Sequence, residues 1–173
     1  AGFSAAFPLL IKNLYTPLDK TIDPLQFAVY GPLIGSASRV IFGKIADKTG
    51  GAILTQITGF ALITLISTLI LGGFLTPTSG EQFQGFLFIV LAIFFFTGVG
   101  NAATFKQYPT IFAESPRKAA GVIGFTSAIA AFGPFVFNVL ITQSRAISGD
   151  ARLFFWFLVF GCVMATCVNW YFY

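Results

Sequence analysis

Long apolar runs, separated by short loops that hold most of the charge, decide what this chain folds into. The runs cover roughly residues 1–14, 24–47, 52–74, 83–112, 116–142 and 151–173. A helix needs about 20 apolar residues to cross the hydrocarbon of a bilayer, and all but the first run reach that length. Inside lipid every backbone N–H and C=O must be satisfied within the protein, which leaves helices or closed β-barrels. Barrel strands are short and alternate in polarity, and these runs do neither. The expected class is therefore an all-α integral membrane protein that sits in a lipid bilayer. The balance of residues agrees: 9% of the chain is charged, against roughly 25% in a soluble domain. Its 23 phenylalanines need lipid to cover many of them.

The punctuation between runs is physical. Pro24 fits the first turn of a helix, where a missing N–H costs nothing. Lys48-Thr49-Gly50-Gly51 and Thr76-Pro77-Thr78-Ser79-Gly80 read as turns. Ser115-Pro116 gives a cap followed by proline at the first helical position, and residues 143–150 read as a loop before the last helix. Short loops make sequence neighbours antiparallel. Residues 1–14 read as the second half of a helix that begins upstream, and the end at Trp170-Tyr171-Phe172-Tyr173 carries no polar tail, so a fragment is expected. Lys44, Lys48, Arg117 and Lys118 fall on one side of the membrane, and Lys12, Lys20, Arg145 and Arg152 on the other. Lys106 tips that tie and makes the first side cytoplasmic by the positive-inside rule.

Several functions fall away. The net charge is +4, but the basic residues are scattered with no basic stripe interleaved with aromatics, so nucleic acid is not an expected partner. Cys162 and Cys167 lie five residues apart in one apolar run, share no helix face and read as small hydrophobes. Histidine is absent and no metal-ligand cluster exists, so no metal or cofactor is expected. With no nucleophile–base pair, no catalytic residue and no enzyme are expected either.

Arg39 is the residue that apolar logic does not explain. A charge at membrane depth costs about 3 kcal/mol or more and ordinarily has a carboxylate beside it. The six acids, Asp19, Asp23, Asp47, Glu81, Glu114 and Asp150, all lie in loops or at helix ends. The partner of Arg39 is then another part of the protein or a bound anion. Gly31, Gly35 and Gly43 share its four-residue spacing, and such a small-residue face packs against helices or lines a cavity rather than lipid. Gly31-Pro32 invites a kink. The bland alternative is a snorkelling side chain, because Arg39 lies only eight residues, about 12 Å, from Asp47 and the interface.

In the fifth run Gly121, Gly124, Ala128 and Ala131 form a small-residue stripe with Ser127 beside it, which serves helix packing or close approach to a ligand. Gly98-Val99-Gly100-Asn101 is similar, and Asn101 needs a polar partner. Lys106 and Gln107 read as snorkelling residues. Asp47 meets the wrong end of its own helix dipole. It is either an exposed loop acid or a conformational latch toward the Ser115-Pro116-Arg117-Lys118 helix start.

Gly31-Pro32-x-x-Gly35-x-x-x-Arg39, followed by Gly43-Lys44-Ile45-Ala46-Asp47-Lys48-Thr49-Gly50-Gly51, resembles the eighth transmembrane helix and following loop of the nitrate/nitrite porters of the major facilitator superfamily. Gly2-Phe3-Ser4-Ala5-x-Phe7 is similar to the later part of their seventh helix, and Thr104-Phe105-Lys106 to the close of their tenth. The run from Gly124 to Gly133 resembles the nitrate signature of their eleventh. The resemblance spans the chain in order. It implies the C-terminal half of a twelve-helix transporter, a six-helix bundle with an incomplete first helix. It further implies a multi-pass protein of the bacterial inner (plasma) membrane that carries nitrate or nitrite by alternating access.

The family places one arginine from each half on the planar anion, and Arg39 falls on the C-terminal one. Gly124 and Ser127 then line the site, by backbone approach and hydroxyl contact. The family's other arginine, and the aromatic contacts earlier in the seventh helix, would precede residue 1. The segment ending at Gly50-Gly51 lacks the usual basic pair. No protonatable side chain lies at depth, so exchange and proton-coupled uptake stay open. A porter for another small anion, or a non-transporting subunit that docks a partner's carboxylate on Arg39, are the competing readings.

Overall fold

A computed structural model describes residues 2–173, whose regular elements are all helices, with no strand among the described residues. The elements are α1 (Gly2–Leu14), α2 (Pro24–Phe27), α3 (Tyr30–Thr49), α4 (Gly51–Leu71), α5 (Gln82–Ile111), α6 (Pro116–Ala131), α7 (Gly133–Ser148) and α8 (Arg152–Phe172). Four stretches are long and apolar enough to span a membrane: α4, α5, α6 with α7, and α8.

Proline accounts for two of the places where the helices depart from the sequence expectation. The run 24–47 is split: the single turn α2, capped by the Asp23 carboxylate on the Leu25 N–H, ends at Phe27, and α3 resumes at Tyr30 and runs to Thr49. Pro32 has no N–H to give the carbonyl four residues before it, so the ladder is interrupted at Ala28. The run 116–142 is likewise two helices. Pro134 removes the donor that Ala130 would have received, and α6 stops at Ala131. Residues 143–148, expected as loop, belong to α7, which ends on the left-handed Gly149 at φ 80°. Between α3 and α4 a single residue, Gly50, turns the chain at φ 87°.

The central helix is α5. Its first half is buried among aromatics: Phe86 is fully buried, with ring centroids 4.8 Å from Tyr15 and 6.5 Å from Phe7. Phe94 lies 5.1 Å from Phe3 and 5.6 Å from Phe7. In lipid such helices gain little from the hydrophobic effect, and contact packing holds them together. Tyr15 takes its phenol into this cluster, and its hydroxyl donates to the Phe74 carbonyl at 2.9 Å.

Small residues set the other contacts. α3 runs parallel to α5, with Gly31 against Phe94 at one end and Asp47 against Lys106 at the other. A Cβ on Gly98 would collide with the Gly35 carbonyl and the Ser38 hydroxyl. That close approach lets Ser38, 2% exposed, donate to the carbonyls of Gly35 and Phe95, both at 3.0 Å. α8 is tied on by Asn169, whose amide donates to the Ala52 carbonyl at 3.1 Å and to Gln56 at 2.8 Å. Gln107 of α5 donates to Thr55 and Asn169, which closes the polar clamp across three helices.

Candidate functional site

Beyond Gly98, α5 changes character. Thr97, Asn101, Thr104 and Tyr108 recur at spacings of three and four, so they share one face. That face opens on a cavity of about 590 Å³ whose other walls come from α4, α6 and α8, with Arg39 of α3 also lining it. The α3–α5 contact at Gly35, Ser38 and Gly98 fixes the backbone one residue before Arg39. The guanidinium carbon then lies 5.3 Å from the Phe105 ring centroid, a cation–π stack. The ion pairs among the described residues are Lys106–Asp47 and Arg152–Asp150, so no carboxylate holds Arg39.

Ser127 lines the same cavity from α6, so the structure brings Arg39 and Ser127 to one space. Gly124, one turn earlier, is not among the cavity walls, and the space where a Cβ would sit is open. Of the small residues that share the spacing of Arg39, Gly31 and Gly35 pack on Phe94, whereas Gly43 meets nothing within 4 Å. Arg39 thus stands where the packed part of α3 gives way to open space.

The expected latch has a different partner here. Asp47 pairs with Lys106 Nζ at 2.6 Å, while Arg117, exposed at the start of α6, makes no ion pair among the described residues. The parallel course of α3 and α5 brings these helix ends level, which linear spacing does not reveal. Lys106 is accordingly an ion-pair partner rather than a free snorkelling residue. Both side chains are about half exposed, so the pair contributes about 0–1 kcal/mol and breaks readily. At the opposite rim, hydrogen bonds from Thr21 hold the Asp19 carboxyl below the usual range, and Arg152 does the same for Asp150.

Sequence reasoning did not single out Thr58 or Thr97, and met Thr104 and Phe105 only inside a three-residue motif. The usable signal was the Thr97–Asn101–Thr104 stripe at helical spacing in an otherwise apolar helix. Asn101 does line the cavity, and its amide makes no hydrogen bond among the described residues.

No protein-family model matches the chain. It is 46% identical over 173 residues to the "Probable nitrate/nitrite antiporter NarK2" of Thermus thermophilus, an alignment covering all of this chain and 38% of that protein. The "Nitrate/nitrite transporter NarU" of Salmonella typhimurium is 31% identical over 189 residues, covering 95% of this chain and 39% of its own length. The "Probable nitrate transporter NarT" of Staphylococcus epidermidis is 27% identical over 166 residues, covering 94% and 40% respectively. The chain therefore spans about two-fifths of the length of these curated relatives. With bacterial relatives of this kind and four stretches of membrane length, it is a multi-pass protein of the bacterial inner membrane.

Proposed function

We propose that this chain, which belongs to the nitrate/nitrite porter family of the major facilitator superfamily, forms the C-terminal half of a transporter that moves nitrate or nitrite by alternating access. The observation that carries the reading is Arg39. It is a permanent charge against a cavity wall, stacked on Phe105, with no carboxylate partner. A guanidinium is planar and donates two parallel N–H bonds, a fork that matches two oxygens of a planar oxyanion. Ser127 offers a hydroxyl from the facing wall. Gly124 lets the α6 backbone come close when that helix moves inward, since nothing occupies its Cβ direction. The rest of the polypeptide supplies the second cation, so the anion is gripped between two halves near the midplane. Carriage of an anion needs only a grip that can be released.

Asp47 and Arg117 take part in the conformational cycle rather than in binding. In this conformation Asp47 rests on Lys106. When α6 approaches, its N-terminus and Arg117 offer a competing partner, and the weak exposed pair with Lys106 makes the exchange easy.

The test is nitrate uptake by the full-length protein carrying Arg39→Lys. Lysine keeps the charge and loses the fork. The expected result is a loss of uptake on the order of a hundredfold, the worth of one to two charge-assisted hydrogen bonds, with normal amounts of protein in the membrane. Uptake at the level of the unaltered protein would sink the bidentate grip.

A further inference from the structure

The residue before Arg39 ties its helix to α5. Along α3, Gly35, Ser38, Phe42 and Ala46 recur at spacings of three and four, and this face lies on α5. A Cβ on Gly35 would lie 3.3 Å from the Phe94 carbonyl oxygen, and Phe42 meets Phe95 edge-on with ring centroids 5.4 Å apart. Ala46, 3% exposed, packs with Val99 and Ala103. These contacts press α3 onto α5, whereas a hydrogen bond has a directional optimum and so specifies the register between the helices. Ser38 supplies that bond. Its buried hydroxyl is shared between the Gly35 carbonyl of its own helix and the Phe95 carbonyl of α5, each at 3.0 Å. Apart from the exposed Asp47–Lys106 ion pair, it is the one polar tie between α3 and another helix among the described residues. The tie needs Gly98, because a Cβ there would collide with the Ser38 hydroxyl.

Arg39 stands about 100° round the helix from Ser38. On its own side of α3, one turn on, Gly43 meets nothing within 4 Å. Its backbone is therefore placed through its neighbour, and its guanidinium rests over Phe105. Phe95 and Phe105 belong to the same helix, so α5 holds Arg39 at both ends. We propose that Ser38 is a positioning residue for anion binding: its hydroxyl sets the register of α3 on α5 and thereby the reach of the Arg39 guanidinium over Phe105. The proposal rests on the reading of Arg39 as an anion-binding residue. A built binding site tolerates about 0.5 Å of misplacement, and one residue along a helix is about 1.5 Å, so a fraction of a one-residue slip spoils a two-bond grip. Ser38 itself is not among the cavity walls, so it acts through Arg39 and not on the anion.

The experiment is nitrate uptake into liposomes by the full-length protein, with KM and maximal rate measured separately and thermal melting of the same preparations. Ser38→Ala deletes the hydroxyl and leaves the two carbonyls with their helical donors, the N–H groups four residues on. It should raise the KM for nitrate about three- to tenfold, the range of one interhelical hydrogen bond in a membrane. The maximal rate should stay level and the melting temperature should fall little. Combined with Phe105→Ala, it should raise KM scarcely beyond the poorer single variant, because both changes act on one guanidinium. An unchanged KM in Ser38→Ala would overturn the proposal, and a lower maximal rate and melting temperature at that KM would make Ser38 a packing residue. KM factors that multiply in the double variant would also overturn it, since the two residues would then act independently. If Arg39→Lys transports normally, the reading of Arg39 fails and the role of Ser38 with it. If Arg39→Lys is inactive while Ser38→Ala keeps its KM, only the positioning role fails.

Discussion

The two halves of α5 do different jobs with the same backbone. From Phe83 to Phe94 one face of the helix is buried on Tyr15, Phe3 and Phe7, and Phe83, Phe86 and Phe94 each pack against another ring. From Thr97 to Tyr108 it presents hydroxyls, an amide and two aromatic rings to a cavity. The switch falls at Gly98, where α3 comes closest. One half is an anchor whose packing resists displacement, and the other is a wall whose side chains are free to meet a ligand. A transporter needs both, because a binding surface that moves must hang from something that does not.

The sharpest way to break this division is to exchange the consequences of two phenylalanine truncations. Phe86→Ala removes a fully buried ring from the anchor. It should lower stability by about 3–5 kcal/mol, read as a drop in melting temperature of the full-length protein, with transport per folded molecule nearly intact. Phe105→Ala removes the ring beneath Arg39. Cation–π contact of this kind is worth about 0.5–2 kcal/mol, so anion transport should fall by roughly two- to thirtyfold while the melting temperature changes little. If both variants lose stability alike, the second half of α5 is ordinary core and the division is wrong.

How much of this is written in the linear sequence differs between the two halves as well. The anchor is legible in outline, since phenylalanine-rich runs of membrane length admit one class of fold. What the runs hide is where proline breaks them. Pro32 and Pro134 sit inside apolar stretches that otherwise read as continuous, and only the missing donor to the carbonyl four residues back explains the stops at Phe27 and Ala131. On the wall, Arg39 is legible because a lone charge in an apolar helix has few explanations. Thr58 is not, because helical threonines ordinarily satisfy themselves on their own backbone, and only packing shows that this one does not. The partner of Asp47 is hidden for a third reason. Lys106 lies far from it in sequence and reaches it through the parallel register of α3 and α5.

The smallest effect tests the anchor at its rim, where α8 begins. Asp150 accepts the Arg152 N–H at 2.8 Å and its Nε at 2.7 Å, so one carboxylate both caps the helix and pairs a charge. The Arg152 hydrogen bond is the main reason its carboxyl titrates below the ordinary range. A group whose folded pKa is lowered contributes stability above its unfolded value, about 3.9, and loses it as pH falls through the folded value. The contribution is less than about 1 kcal/mol, because the Arg152 side chain is 52% exposed. Melting of the full-length protein should therefore show a shallow acid-side decline below about pH 4 that Asp150→Asn flattens. Transport at neutral pH should not change, since this rim lies beyond the cavity walls. An Asp150→Asn variant that transports poorly while melting normally would mean that the rim of the anchor moves with the wall, and the boundary at Gly98 would then have to be drawn elsewhere.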